Sequence, residues 1–479
     1  MKQNTAFTED KVALLVGSLI FILSLFNVAG IDLLGWAVKS NMWTSFDKVF
    51  TASTANYKGV SGFAALILTY VAITAVLSVG IKLLGADVVK FVKSFTVVFF
   101  ICYFCFALGN EAHIAATPNT TAKFGISWSM GLTGEAGFVI ALLAGIIVGN
   151  FMPGLAESIK DACRPEMFVK IAIVIMGSEL GVKAADAMGL ASSIIFRGLC
   201  AIVEAYLIYW AVVYYVSRKY FKFSREWAAP LASGISICGV SAAIATGGAI
   251  RARPVVPIMV SSLVVVFTCV EMLVLPFVAQ WWLHGEPMVA GGWMGLAVKS
   301  DGGAIASGAI TDALIRAKAL AVDGVNYKEG WVVMVTTTVK IFIDVFIGIW
   351  SFVLAYIWCS KFECKDGQRM KFSEVWNRFP RFVLGYIISF AILLLVCTSS
   401  AGGVKLGNAI IGGLSSFRLI FFVLTFFTIG VVSNFRKLWE EGIGRLAAVY
   451  VVCLFGFIIW VGLFISWLFF HGVKPPLAS

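Results

Sequence analysis

Charge is scarce in this sequence. Only 13% of its 479 residues are Asp, Glu, Lys or Arg, against 60% hydrophobic residues. A soluble domain carries roughly 25% charged residues, so a water-facing surface of ordinary extent is excluded. Long polar connections are missing too: the longest runs over residues 361–378, too short for a separate soluble domain. There are three histidines, His113, His284 and His471, and their spacing fits no metal site. No Gly-x4-Gly-Lys-Ser/Thr, His-Glu-x-x-His or Gly-x-Ser-x-Gly occurs. An ATP-driven pump and the common hydrolases therefore lack their parts. The chain reads as a non-enzyme with no organic cofactor, no metal centre and no nucleic-acid partner. Ten cysteines lie mostly inside apolar stretches, as small buried hydrophobes do, rather than in a disulfide framework.

Long apolar runs are what remains. A helix needs about 20 apolar residues to cross a hydrocarbon core of roughly 30 Å. Such units fall at 12–35, 61–84, 91–109, 135–152, 166–185, 189–217, 227–252, 255–283, 288–318, 330–360, 380–398, 410–435 and 443–470. The fold class is an all-α polytopic membrane protein of about 11 to 13 transmembrane helices, with the bilayer as its first partner. The first run is too long for a signal-peptide core and reads as a retained helix. The basic loops 82–93, 160–170, 218–225, 361–381 and 436–445 fall on one side if the units alternate. That side is cytoplasmic by the positive-inside rule, which puts the N-terminus inside and the C-terminus outside. The net charge of +11 is mainly this bias, with a lesser role in drawing in anions.

Two of the units are interrupted by related glycine-rich stretches. Ala243-Ile-Ala-Thr-Gly-Gly-Ala-Ile250 aligns with Ala304-Ile-Ala-Ser-Gly-Ala-Ile310 apart from one glycine. Paired Gly-interrupted segments point to a secondary transporter's binding site. Each segment, 227–252 and 288–318, either crosses as a broken helix or turns back as a re-entrant hairpin. Arg251 and Arg253 face outside in the first case and inside in the second. A further echo links Gly177–Gly189 with Gly430–Gly442, on opposite sides in this topology, as an inverted repeat predicts.

Ionisable residues at membrane depth are costly and mark function by default. Lys299 and Asp301 open the second glycine stretch, and Lys340 and Asp344 are four residues apart on one helix face. The candidate substrate-binding set is Ser236, Cys238, Gly239, Ser241, Thr246, Lys299, Ser300, Gly302, Gly303, Ser307 and Lys340. Hydroxyls, half-helix N–H groups and lysines suit an oxyanion. The candidate coupling acids, which would take H+ or Na+, are Asp301, Asp344 and Glu179. Glu204 and Glu271 read as interhelical partners.

Ser236-Ile-Cys-Gly-Val-Ser-Ala-Ala-Ile-Ala-Thr246 resembles the signature of the sulfate exporter family of bacterial inner-membrane transporters, the YeiH type. Gly145-Ile-Ile-Val-Gly-Asn150, Lys170-Ile-Ala-Ile-Val-Ile-Met-Gly-Ser-Glu179, Ser300-Asp-Gly-Gly-Ala-Ile-Ala-Ser-Gly308 and Lys340-Ile-Phe-Ile-Asp-Val-Phe-Ile-Gly348 support it. The resemblance runs from about Glu135 to Trp467, and 135–470 reads as the transporter core, residues 1–110 as additional N-terminal helices and 361–379 as a cytoplasmic loop. It implies a fold similar to the bile-acid and sodium/proton antiporters, with inverted repeats and broken helices crossing at midplane. It also implies export of sulfate, sulfite or a related sulfonate or carboxylate from a bacterial inner membrane. The chain departs from that pattern at Lys299-Ser-Asp-Gly-Gly303 and at Asp344, which changes the charge of the expected site. The reading is a secondary active transporter of a small anion working by alternating access, with the N-terminal spans as candidate interface of a homo-oligomer. A channel-like anion pore and a non-transporting scaffold or sensor are the alternatives.

Overall fold

The computed structural model describes residues 8–116, 121–130, 136–186, 188–199, 201, 203–253, 255–358, 381–400, 402–433 and 444–478. Eight helices among them are long and apolar enough to cross a membrane. Three more elements belong with these. Ala136–Phe151 and Pro153–Ala162 form one pair bent by 112°. Pro165–Asp186 has the length but carries several charges, and the apolar run beginning at Trp331 is split into Trp331–Val345 and Ile347–Trp358. The chain is an all-α polytopic membrane protein, as its composition requires. Its contacts divide it into two compact units, Met1–Ala191 with Arg381–Val432, and Ser192–Pro380 with Ser433–Ser479.

The first unit begins with Glu9–Leu25, whose N-cap Thr8 accepts from the Lys11 N–H. This helix stops well short of the expected residue 35. A 3-10 turn, Phe26–Ala29, follows it, and then Gly30 at φ 76°. Beyond it, Asp32 accepts from the Leu34 and Gly35 N–H groups and from the Thr54 hydroxyl. The apolar residues past 30 therefore lie in a capped loop, which leads to a small antiparallel hairpin pairing Val38–Ser40 with Phe50–Ala52. Gly62–Leu83 and Val88–Gly109 match the expected spans closely. All three N-terminal spans belong to this unit, and Glu9–Leu25 packs on Pro165–Asp186.

Gly403–Val432 is the most enclosed of this unit's apolar candidate spans. It packs on Ala136–Phe151 so closely that a Cβ on Gly430 would lie 2.5 Å from the Leu142 carbonyl oxygen. Small residues allow this approach of two backbones. Gly177 plays the same part against the Tyr386 carbonyl, at 2.4 Å. Residues 434–442 of the second echo motif lie outside the described residues, as does the 361–379 loop. Ion pairs Asp10–Lys170 at 2.7 Å and Glu9–Arg164 at 2.5 Å gather at one end of the unit, where Asp10 also accepts from the Arg381 N–H. The start of the chain, the 160–170 loop and residue 381 thus share an end, as the basic-loop reading requires.

The second unit holds both glycine stretches, and both turn back. Arg225–Ser236 and Val240–Ala249 lie side by side around a turn at Ile237–Gly239. The Thr246 hydroxyl donates to Ser233 Oγ at 2.7 Å, and Arg253 bonds Glu226 through its N–H and guanidinium. These pairings fix two antiparallel arms with a common root. Pro287–Ala297 and Asp301–Asp323 form the second hairpin, clasped around Thr336, which donates to the Gly291 carbonyl and touches the Gly308 position. His284 and Asp323 close its root at 3.7 Å. The one helix between the hairpins, Val255–Leu283, is 29 residues long, so they are rooted at its opposite ends. Half-helices that return, rather than cross, replace the crossing arrangement that the resemblance implies. Arg253 accordingly lies at the same end as Glu226.

Candidate functional site

Each hairpin tip is a break enforced by its sequence. Gly239 has φ +64°, and a Cβ there would lie 2.9 Å from the Lys299 carbonyl oxygen on the other tip. The two tips are therefore in contact within this unit. On the second tip Val298 is extended, and Ser300 caps the returning arm by accepting from the Gly303 N–H at 3.0 Å.

Lys340, from Trp331–Val345, joins the tips. Its buried ammonium donates to the Ile237 carbonyl at 2.9 Å and to the Val298 carbonyl at 3.4 Å. These are the C-terminal ends of the two ingoing arms. Each helix end is worth roughly −0.5 charge, so the two together offset about one ammonium. The N-termini of the returning arms converge on the same place with the opposite sign. The first, at Gly239, carries no side-chain cap, which leaves its first-turn N–H groups without intrahelical partners.

Lys299 is the second buried cation. Its ammonium donates to the Leu296 carbonyl and sits 4.5 Å from the Tyr209 ring centroid, a cation–π distance. Its backbone N–H donates to Glu271 at 3.0 Å, and Tyr450 donates to the other oxygen of that carboxylate at 3.1 Å. Glu204 is fully buried beside Tyr209. Two buried hydroxyls without a partner lie at the tips, Ser236 at the end of the first ingoing arm and Thr268 against the Gly303 position, and Ser307 and Thr337 add two more on the second returning arm and on the Lys340 helix. Burying unpaired polar groups is unfavourable, so this interior is suited to a polar guest.

The structure brings together Ser236, Cys238, Gly239, Lys299, Ser300, Gly303 and Lys340 from the sequence-derived set. Thr246 and Ser307 lie farther along the returning arms, and Thr246 is engaged with Ser233. Ser241, Asp301, Gly302 and Asp344 lie outside the residues whose side chains are described. Glu179 belongs to the first unit, where it pairs with Arg418 at 2.8 Å. Sequence reasoning set Glu204 and Glu271 aside and missed Tyr209 and Tyr450. A glutamate in an apolar helix was the available signal for the first two. A tyrosine in such a helix carries none.

Buried lysines, carboxyls and two opposed re-entrant hairpins define a class: a polytopic helical membrane protein with a polar site built on broken helices. The chain belongs to the family described as Conserved hypothetical protein 698, whose profile matches residues 129–464. A UPF0324 membrane protein of Nitrosomonas europaea is 38% identical, over 98% of this chain and 97% of its own. A UPF0324 membrane protein of Nitratidesulfovibrio vulgaris is 30% identical, over 87% of this chain and 66% of its own. An uncharacterized protein of Archaeoglobus fulgidus is 45% identical over 30% of this chain and 88% of its own. No solved structure matches.

Proposed function

We propose that this protein is a secondary active transporter of a small anion, with sulfate, sulfite and related sulfonates or carboxylates as the substrate class. The observation that carries this reading is the meeting of two re-entrant hairpins, rooted at opposite ends of one helix, at two buried lysines. Lys340 is engaged by the carbonyl ends of the ingoing arms. The positive ends of the returning arms, and Lys299 beside them, suit an oxyanion. Each hairpin serves as the gate for the side on which it is rooted, which gives alternating access without a through-pore. The coupling ion is H+ or Na+, held by a carboxyl of the same interior. The setting is a bacterial inner membrane, with the N-terminus cytoplasmic and the C-terminus outside. Export is the direction that the resemblance to sulfate exporters favours.

The test is flux in proteoliposomes with sulfate, sulfite, an organosulfonate and a small carboxylate, with and without pH and Na+ gradients. Saturable flux with counterflow is expected for at least one anion. Flux without counterflow would mark a pore, and indifference to both gradients would remove the coupling claim.

A further inference from the structure

We propose that Glu204 is the proton-carrying carboxyl of this site and that the Lys299 ammonium alternates between Glu204 and the bound anion. This deepens the transport reading and rests on it. Glu204 lies in a π-helical segment, Val203–Tyr209, a distortion frequent at functional sites. It is 0% exposed, and neither carboxyl oxygen has a hydrogen-bond partner. An ionised carboxylate in that position would lack the hydrogen bonds that make burial of a charge tolerable.

The group beside it explains how it is kept. A Cβ on Gly462 would lie 2.8 Å from the Tyr209 hydroxyl oxygen and 3.5 Å from Glu204 Oε1, so both flank the same glycine. Tyr209 donates its one hydroxyl hydrogen to the Ile458 carbonyl at 2.8 Å. With that hydrogen engaged, the hydroxyl can meet Glu204 only as an acceptor, a role that serves a protonated carboxyl and leaves a carboxylate unsatisfied. Glu271 is the contrast. Both of its oxygens already accept, from Tyr450 and from the Lys299 N–H, so its ionised form is the satisfied one.

Lys299 is the cation whose field reaches Glu204, and it interacts with Glu271 and Lys340 as well. On the π-helical segment the titratable neighbours are Tyr206 and Tyr209, and Tyr206 is engaged with the Ile343 carbonyl. The facing helix Ile459–Phe470 brings Gly462 and no charged residue. With an anion at the hairpin tips, Lys299 turns to it and Glu204 keeps its proton. When the anion leaves, the carboxyl O–H bond breaks, the proton passes to water at the open gate, and the carboxylate takes the ammonium. One proton therefore travels with each anion, in the same direction.

The test uses the full chain in liposomes with sulfate and sulfite as probes. At one proton per anion, a one-unit pH gradient supports up to about tenfold accumulation, since both are the same free energy. Glu204→Gln is expected to lose this accumulation while keeping measurable counterflow. Infrared difference spectra at neutral pH with sulfate present should show a protonated-carboxyl band that Glu204→Gln removes. Tyr209→Phe, which removes the acceptor oxygen, should shift that band. Undiminished accumulation in Glu204→Gln, or a band unchanged in both variants, overturns the proposal. If no probe anion moves in the wild type yet the band is present and responds to the variants, the proton site stands and the transport reading falls.

Discussion

Lys340→Met tests whether one ammonium holds both hairpin tips. The side chain keeps its length and apolar stem and loses only its charge and donors. In the native structure that charge faces two helix C-termini through the Ile237 and Val298 carbonyls. At roughly half a charge each, these ends together equal about one carboxylate. Removing Lys340 then resembles removing one member of a buried ion pair, which costs about 3–5 kcal/mol. Against a total stability of about 5–15 kcal/mol, that is a large share. The assay is the denaturation midpoint in detergent, with the exposed Lys82→Met as control. Lys340→Arg keeps the charge and should recover part of the loss. A loss for Lys340→Met under about 1 kcal/mol, the range of an exposed pair, would refute the reasoning. So would a loss no greater than that of Lys82→Met.

Glu226→Cys and Arg253→Cys, made one at a time, should be labelled by a membrane-impermeant thiol reagent from the same face, since the two residues are hydrogen-bonded across the hairpin root; labelling from opposite faces would show a crossing helix. Gly239→Ala places a Cβ 2.5 Å from Val264 at a positive φ and should cost about 1–3 kcal/mol and abolish flux, whereas Gly248→Ala meets nothing within 4 Å and should be silent in both assays. Glu179→Gln breaks the buried pair with Arg418 and should lower stability by about 3 kcal/mol while leaving the pH and Na+ dependence of flux intact; a change in ion dependence would make Glu179 a coupling residue.

Hydropathy and glycine placement made much of the fold legible. Val255–Leu283 has the bounds its composition suggests, and both breaks fall in the glycine-interrupted units 227–252 and 288–318, just ahead of the repeated motif. What could not be read was whether those segments cross or return. A broken span and a hairpin share one local pattern, and the deciding contact joins Arg253 to a residue 27 positions earlier. The π-helical turns at Val203–Tyr209 and Leu454–Ile458 were hidden too, because a 3.6-residue period carries no mark of an extra residue in a turn. Lys299 and Lys340 were found by their cost at depth. Glu204 and Glu271 share that cost but were read as packing partners, because their lysines are 95 and 28 residues away, as Lys299 is from each.

The repeated motif gains a meaning from the hairpins. Ala243–Ile250 follows the first tip and Ala304–Ile310 follows the second, each on the returning arm. Because the hairpins are rooted at opposite ends of Val255–Leu283, two like sequences run in opposite directions, which is the relation of an inverted repeat. The repeat is not symmetric in charge. Ile237–Gly239 is neutral, whereas the second tip carries Lys299, whose backbone N–H is bonded to Glu271 and whose ammonium lies over the Tyr209 ring beside Glu204. Opening the second hairpin must therefore break the Lys299–Glu271 bond and move the cation that Glu204 senses; opening the first need not. Proton release should accordingly be confined to the side on which the second hairpin is rooted, and chemistry at that tip, not the neutral one, should set which anion is carried.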